Sequence, residues 1–152
     1  MRTLGIDYGD AHIGVAVSDP LGCTSSGLTT ISRKNPIDLS TSITRIVEIA
    51  REYRVNAIVL GYPKNMDNTE GENCKKVMVL KRKLEKILPS IPVELFDERL
   101  TTSRAQQIFR EMGTSGFKQR KNIDKLAAAI ILQDYLDQKT RHVEYAEISR
   151  YS

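Results

Sequence analysis

No stretch of the 152 residues stays apolar for the roughly 20 positions that a membrane-spanning helix needs, so no segment reads as a membrane anchor. Cysteine is scarce. Cys23 and Cys74 stand far apart, with no Cys-x-x-Cys or Cys/His spacing that would suggest a zinc site, and both are expected to stay as thiols in a reducing compartment. The opening Met-Arg-Thr-Leu-Gly-Ile-Asp puts an acid at position 7 and lacks the apolar stretch and small-residue cleavage site of a secretory leader, which predicts a cytoplasmic protein. Repeats, low-complexity tracts and domain linkers are also missing. What remains is one domain's length of ordinary globular composition, 40% hydrophobic and 28% charged, able to bury its own core. A net charge of +4 is compatible with a polyanionic partner and does not demand one.

Hydrophobic periodicity sets the order of elements. Residues 3–8 read as a strand, broken at Tyr8-Gly9-Asp10 and resumed over Ile13–Val17, so the chain opens with a hairpin that holds Asp7 near the end of its first strand. Leu28–Ile31 is β-branched and suggests a third strand. Asn35-Pro36 has the pattern of a helix start, and Leu39, Ile43, Ile46, Val47 and Ala50 form one apolar face after it. Val55–Leu60 is a short apolar run between helical patterns, as expected of a buried parallel strand. A loop rich in turn formers, residues 61–71, leads to a helix with Val77, Leu80, Leu84 and Ile87 on one side and mainly lysines on the other. Ile91–Phe96 is a further strand, followed by Asp97-Glu98-Arg99 and by a helix with Ala105, Ile108, Phe109 and Met112 on its buried face. A polar loop precedes a last helix from about Ile123 to Gln138, and the tail after Thr140 shows alternation too short to assign. This order predicts an α/β fold: a mixed five-stranded sheet flanked by helices on both faces, with ligands at the carboxyl ends of the strands.

Asp7 and Asp97-Glu98 stand where their strands finish. Each has an ordinary explanation, the first as a turn acid and the second as acids near a helix N-terminus. Asp124 adds periodicity, since it shares a helix face with Ala127, Ala128 and Ile131, the stripe expected to pack on the sheet. A carboxylate turned inward needs a metal ion, a basic partner such as Arg99, or protonation. Acids from two strand ends and one helix start converging on one edge are what a magnesium site for phosphodiester hydrolysis requires.

Four segments in order carry a resemblance: Gly5-Ile-Asp7-Tyr-Gly9 with Ile13–Asp19, Gly61-Tyr-Pro63, Asp97-Glu-Arg-Leu-Thr-Thr102, and Ile123–Leu136. Together they resemble the YqgF/RuvX family over roughly residues 2–138, which sets a nuclease domain at 1–138 and a C-terminal tail at 139–152. The resemblance implies an RNase H-like fold, an acidic triad at Asp7, Glu98 and Asp124, a Mg2+ or Mn2+ cofactor, and hydrolysis in pre-16S ribosomal RNA processing, with Holliday junction resolution as the alternative. The residues themselves leave open whether Asp97 or Glu98 faces the metal. Two positions depart from the family pattern. Ala11-His12 fills a hairpin turn where relatives often carry a basic or hydroxyl residue, and Asn68 replaces a common glycine.

Lys118, Arg120, Lys121 and Lys125 flank Asp124 and, with Arg99, are the expected phosphate contacts. The basic helix face at residues 75–86 is the kind usually just solvated. Tyr62 and Phe117 could stack on unpaired bases or anchor their loops. The expected partners are structured or single-stranded RNA, branched DNA, or ribosomal precursor particles, bound by a monomer or homodimer with no membrane involved. Two other classes compete. A non-catalytic RNA-binding module would bind without cutting. A nucleotide-binding module is suggested by the Gly-x-Asp-x-Gly hairpin, which also resembles the phosphate loop of the actin/sugar-kinase superfamily, but those proteins use two such domains.

Overall fold

The structure, a computed structural model, describes residues 1–35, 38–63, 70–97 and 120–150, and of residues 120–123 and 142–149 it describes the backbone alone. The opening hairpin forms as its pattern demands, with β1 (Thr3–Asp7) antiparallel to β2 (His12–Ser18) and β2 antiparallel to β3 (Ser25–Ser32). Helix α1 (Ser40–Glu52) follows, then β4 (Ala57–Tyr62), α2 (Glu72–Ile87), β5 (Val93–Asp97) and α3 (Arg120–Arg150). β4 returns parallel to β1, and β5 lies parallel to β4, giving the order β3-β2-β1-β4-β5. Three carboxyl ends, those of β1, β4 and β5, therefore share one edge of the sheet.

Alternation along the strands sorts side chains between two faces. Leu4, Ile6, Ile13, Val15, Ile58 and Leu60 point to one side, where they bury against Ile43, Ile46 and Val47 of α1 and Cys74, Val77, Leu80 and Leu84 of α2. Side chains of this size stabilise by roughly 1.5–3 kcal/mol each when fully buried. Ala16 and Val59 point to the other side, against Ala128, Ile131 and Leu132 of α3. This face is thin, because small residues let the helix backbone lie almost on the sheet. At Gly14 a Cβ would stand only 2.0 Å from the Asp124 carbonyl oxygen, so only glycine fits there.

Several boundaries differ from the sequence pattern. α1 begins at Ser40, not at Asn35-Pro36; its N-cap, Leu39, makes no side-chain cap hydrogen bond, and the Asp38 carboxylate before it accepts the Ser40 backbone N–H at 2.9 Å; Pro36 lies outside the described residues. Ile87, expected on the buried face of α2, is exposed, and Leu88 fills the core in its place. The tail that alternation left unassigned is helical, since α3 continues past position 138 without a break to Arg150. Cys74 is buried and Cys23 exposed, both as free thiols. No helix among the described residues is long and apolar enough to cross a membrane.

Helix α1 ends in a Schellman motif. The Val55 N–H reaches the Ala50 carbonyl at 3.0 Å, and the Arg54 N–H reaches that of Arg51 at 3.2 Å. The residue between helix and exit, usually glycine, is Arg54 with φ of 50°.

Candidate active site

Asp7 closes β1 and pairs in register with Gly14 of β2. Residues directly opposite in an antiparallel pair point to the same face. Gly14 faces α3, where it meets the Asp124 backbone, and so Asp7 also points to the α3 side. The backbones of two acids 117 positions apart in sequence thus meet at one glycine, that of Asp7 beside it in the sheet and that of Asp124 above it in the first turns of α3. Asp124 and Asp7 are both partly buried.

Asp97 behaves differently. It pairs in register with Tyr62, whose ring is in the core shared with α1 and α2. Its predecessor Phe96 packs with Val59 and Ile131 on the α3 side. By alternation Asp97 faces α2, where it lines a cavity of about 730 Å³ with Tyr62, Glu70, Lys75 and Arg82. It is also two strands from Asp7, about 10 Å between backbones at the usual strand spacing. Asp7 and Asp97 therefore share an edge but not a face. Glu98, Arg99 and Lys118 lie outside the described residues, and no cluster of three His, Cys, Asp or Glu able to hold a metal occurs among the described ones.

The remaining basic candidates divide similarly. Lys125 lies over β3, with its Cγ 3.2 Å from where a Cβ on Gly27 would stand, on the same face as Asp7 and Asp124. Arg120 and Lys121 open α3, and their side chains are outside the described set. On α2, Lys76 binds Asp10 at 2.9 Å, Lys81 binds Glu85 at 2.6 Å and Lys75 lies 3.9 Å from Glu72, so three of its cations already have acidic neighbours. The Lys76 ammonium holds the Asp10 carboxyl below its ordinary range. Tyr62 packs inward, and burial, aided by a hydrogen bond with Glu70, raises its phenol well above the usual value. It anchors its loop and is not an exposed stacking platform. Phe117 and Asn68 lie outside the described residues.

His12 opens β2 on the α3 face, two residues from Gly14 toward the hairpin turn, and its Nδ1 is buried with no hydrogen-bond partner among the described residues. Asp134 is a buried acid within the Ile123–Leu136 segment, and sequence reasoning assigned it no role. It lies ten residues beyond Asp124, about 15 Å along the helix axis, too far to share an ion with it. Arg33 also escapes notice in the sequence, because a Ser-Arg-Lys run after a strand looks like solvated loop; in the structure its guanidinium reaches Tyr8 and Gly9, the two residues after Asp7.

The model of the family described as "RuvX: Holliday junction resolvase" matches residues 1–138. The chain belongs to the RuvX family. Relatives bearing the name "Putative pre-16S rRNA nuclease" include a Clostridium tetani protein 47% identical over 141 residues, covering 90% of this chain and 96% of its own. A Clostridium novyi protein of the same name is 46% identical over 137 residues, covering 90% of this chain and 98% of its own. Among solved structures, Thermus thermophilus RuvC in complex with a Holliday junction substrate superposes with a TM-score of 0.58 at 16% identity, covering 92% of this chain and 96% of that one. That likeness establishes the RNase H-like fold for this RuvX member, as its mixed sheet and two helical layers had indicated.

Proposed function

We propose that this chain is a metal-dependent nuclease that hydrolyses phosphodiester bonds in the cytoplasm, using Asp7, Glu98 and Asp124. The observation that carries the reading is the junction at Gly14, which sets the carboxyl end of β1 and the first turns of α3 against each other. Asp7 and Asp124 offer hard carboxylate oxygens, the donor type that suits Mg2+ or Mn2+. When bound, such an ion would activate the attacking water and stabilise the leaving oxygen. Asp7, at the end of a central strand, would contribute a rigid ligand; Asp124, in the first turns of a helix fixed on glycine, would contribute a second. Asp97 faces α2, which favours Glu98 as the third acid. Lys125, with Lys118, Arg120, Lys121 and Arg99, would hold phosphate oxygens on either side of the scissile bond. Residues 1–138 form the nuclease domain.

The names of the curated relatives favour precursor 16S ribosomal RNA as the substrate, free or in a ribosomal precursor particle. The description of the family favours a second reading, a four-way DNA junction, which a symmetric dimer would cut most simply. Incubating the protein with each substrate and Mg2+ or Mn2+ separates them: cleavage of the RNA alone supports the first reading and cleavage of the junction alone the second. Asp7→Asn and Asp124→Asn should each abolish cleavage while the fold persists. Wild-type rates in both variants would refute the site.

A further inference from the structure

We propose that Arg33 is a positioning residue that fixes the Asp7 carboxylate from the opposite side of the sheet; this rests on Asp7 being a catalytic acid, as above. Arg33 is the first residue after β3, and its backbone N–H donates to the Ala11 carbonyl at 2.9 Å, which pins it beside the β1–β2 turn. From there Nη1 donates to the Tyr8 hydroxyl at 2.8 Å and to the Gly9 carbonyl at 3.2 Å, with the guanidinium carbon 5.1 Å from the Tyr8 ring centre. One side chain thus holds both residues that follow Asp7. The Tyr8 hydroxyl donates onward to Asp10 at 3.3 Å, and Asp10 accepts from Lys76 of α2 at 2.9 and 3.1 Å. The chain of contacts ties the turn to β3 on one side and to α2 on the other.

The turn needs such ties. Asp7 is the last residue of β1, so the strand ladder stops where the carboxylate must be held still. Gly9 makes the turn tight, since a Cβ there would meet the His12 carbonyl at 2.5 Å, but it brings no side chain to anchor it. Tyr8 packs against the α1/α2 core, so Arg33 acts behind the sheet while Asp7 faces α3. The planar guanidinium offers several donors in a fixed arrangement, which is why one arginine can serve a hydroxyl and a carbonyl together. Half-exposed contacts of this kind contribute little to stability, whereas displacing a catalytic group by 1 Å costs on the order of 100-fold in rate.

The test uses the full chain with Arg33→Ala, Arg33→Lys and Tyr8→Phe, and Arg45→Ala on α1 as a remote control for loss of a cation. Backbone NMR order parameters are read first. In Arg33→Ala those of residues 7–10 should fall from about 0.85, typical of rigid backbone, toward 0.6. Cleavage with varied Mn2+ should show kcat lowered roughly 10- to 100-fold, a several-fold higher half-saturating Mn2+, and KM for nucleic acid little changed. Mn2+ binding followed by electron paramagnetic resonance should weaken in parallel. Arg33→Lys should recover part of the loss, and Tyr8→Phe should repeat it in milder form should Arg33→Ala not fold. Unchanged order parameters and Mn2+ affinity in both Arg33→Ala and Tyr8→Phe would overturn the proposal, as would a loss confined to KM, which would make Arg33 a substrate contact. A wild-type protein that cuts neither RNA nor junction, yet shows the expected loss of order in Arg33→Ala, would refute the nuclease reading and leave the positioning of Asp7 standing.

Discussion

Replacing Gly14 with alanine should disable the site without touching an acid. The new Cβ would stand 2.0 Å from the Asp124 carbonyl oxygen and 2.5 Å from its carbonyl carbon, against the 3.4 Å at which ordinary contact begins. About 1.4 Å must therefore be found between β2 and the start of α3. Both obstructing atoms are backbone, so no rotamer change relieves the clash, and the first turns of the helix must lift with Asp124 aboard. Overpacking on this scale costs about 1–3 kcal/mol, a fall of roughly 2–12 °C in Tm for a chain of this length. A displacement near 1 Å costs on the order of 100-fold in rate. The control is Gly5→Ala, whose Cβ would be 2.8 Å from the Leu132 Cβ. It strains the same helix four and eight residues further along, at the Ala128 carbonyl oxygen, 3.2 Å away, and at Leu132, about 6 and 12 Å from Asp124. Both variants should melt below wild type, Gly5→Ala by the smaller amount because its overlap is smaller, while cleavage with Mn2+ should collapse only in Gly14→Ala. Wild-type turnover in Gly14→Ala, or equal losses of activity in both, would refute the idea that α3 delivers Asp124 through this contact.

Three further outcomes follow from single residues. Arg54→Gly should raise stability by up to about 1 kcal/mol, seen as a Tm some 2–4 °C higher, because a left-handed conformation costs a non-glycine residue about that much; a lower Tm would mean that the arginine side chain contributes more than the strain costs. Glu98→Gln should lower kcat at least about 100-fold and Asp97→Asn by less than about tenfold, since Asp97 faces α2; the reverse ranking in steady-state cleavage would return Asp97 to the metal site. The Tyr135 phenol is raised above its ordinary value by burial and by its hydrogen bond to Glu94. The folded state then holds the proton more tightly than the unfolded chain, so this contribution is complete below about pH 10 and is lost as pH rises through the folded value. Thermal melts from pH 8 to 11 should show a shallower alkaline decline in Tyr135→Phe than in wild type, and parallel curves would contradict the assignment.

The sheet was legible in the sequence because its two faces differ from the solvent and from each other in ways that alternation exposes. Leu4 and Ile6 alternate with Gly5 and Asp7, and that pattern alone predicts a strand with one apolar face and an acid at its end. The apolar stripe of α3 was equally readable from the spacing of Ala128 and Ile131, both of which pack on the sheet. What the pattern could not show was which face each acid would take, because parity depends on register between strands that are remote in sequence. Asp97 is the clearest example: it follows Phe96 at a strand end, as an active-site acid would, and only its pairing with Tyr62 turns it toward α2. Local capping was misread for a related reason. Asn35-Pro36 has good helix-start chemistry, but Asp38 is the residue whose carboxylate reaches the first free N–H. Arg33 had no local signal at all, since its partners, Tyr8 and Gly9, lie 25 and 24 positions away.

The two faces of the sheet divide the work of the site. Under the proposed function, the acids that meet the substrate, Asp7 and Asp124, lie on the α3 side, where among the described residues the covering layer is α3, packed close on glycine and alanine. Residues that hold those acids in place lie on the α1/α2 side, where a deep core and the ties from Arg33 and Lys76 stiffen the turn after Asp7. A carboxylate at the last position of a strand inherits rigidity from the ladder behind it but not ahead of it, so precision must come from contacts to the residues that follow. Asp124 has the opposite problem: its helix is rigid, and its position depends on how closely that helix approaches the sheet. Gly14 sets the second distance and Arg33 the first. Under the proposed function, changes at either residue should therefore impair the same step through one shared ion, and the double variant Gly14→Ala/Arg33→Ala should lose activity by less than the product of the single losses, because once either acid is displaced an ion would no longer be held by both. Full multiplicativity in that cycle would mean that Asp7 and Asp124 do not share an ion.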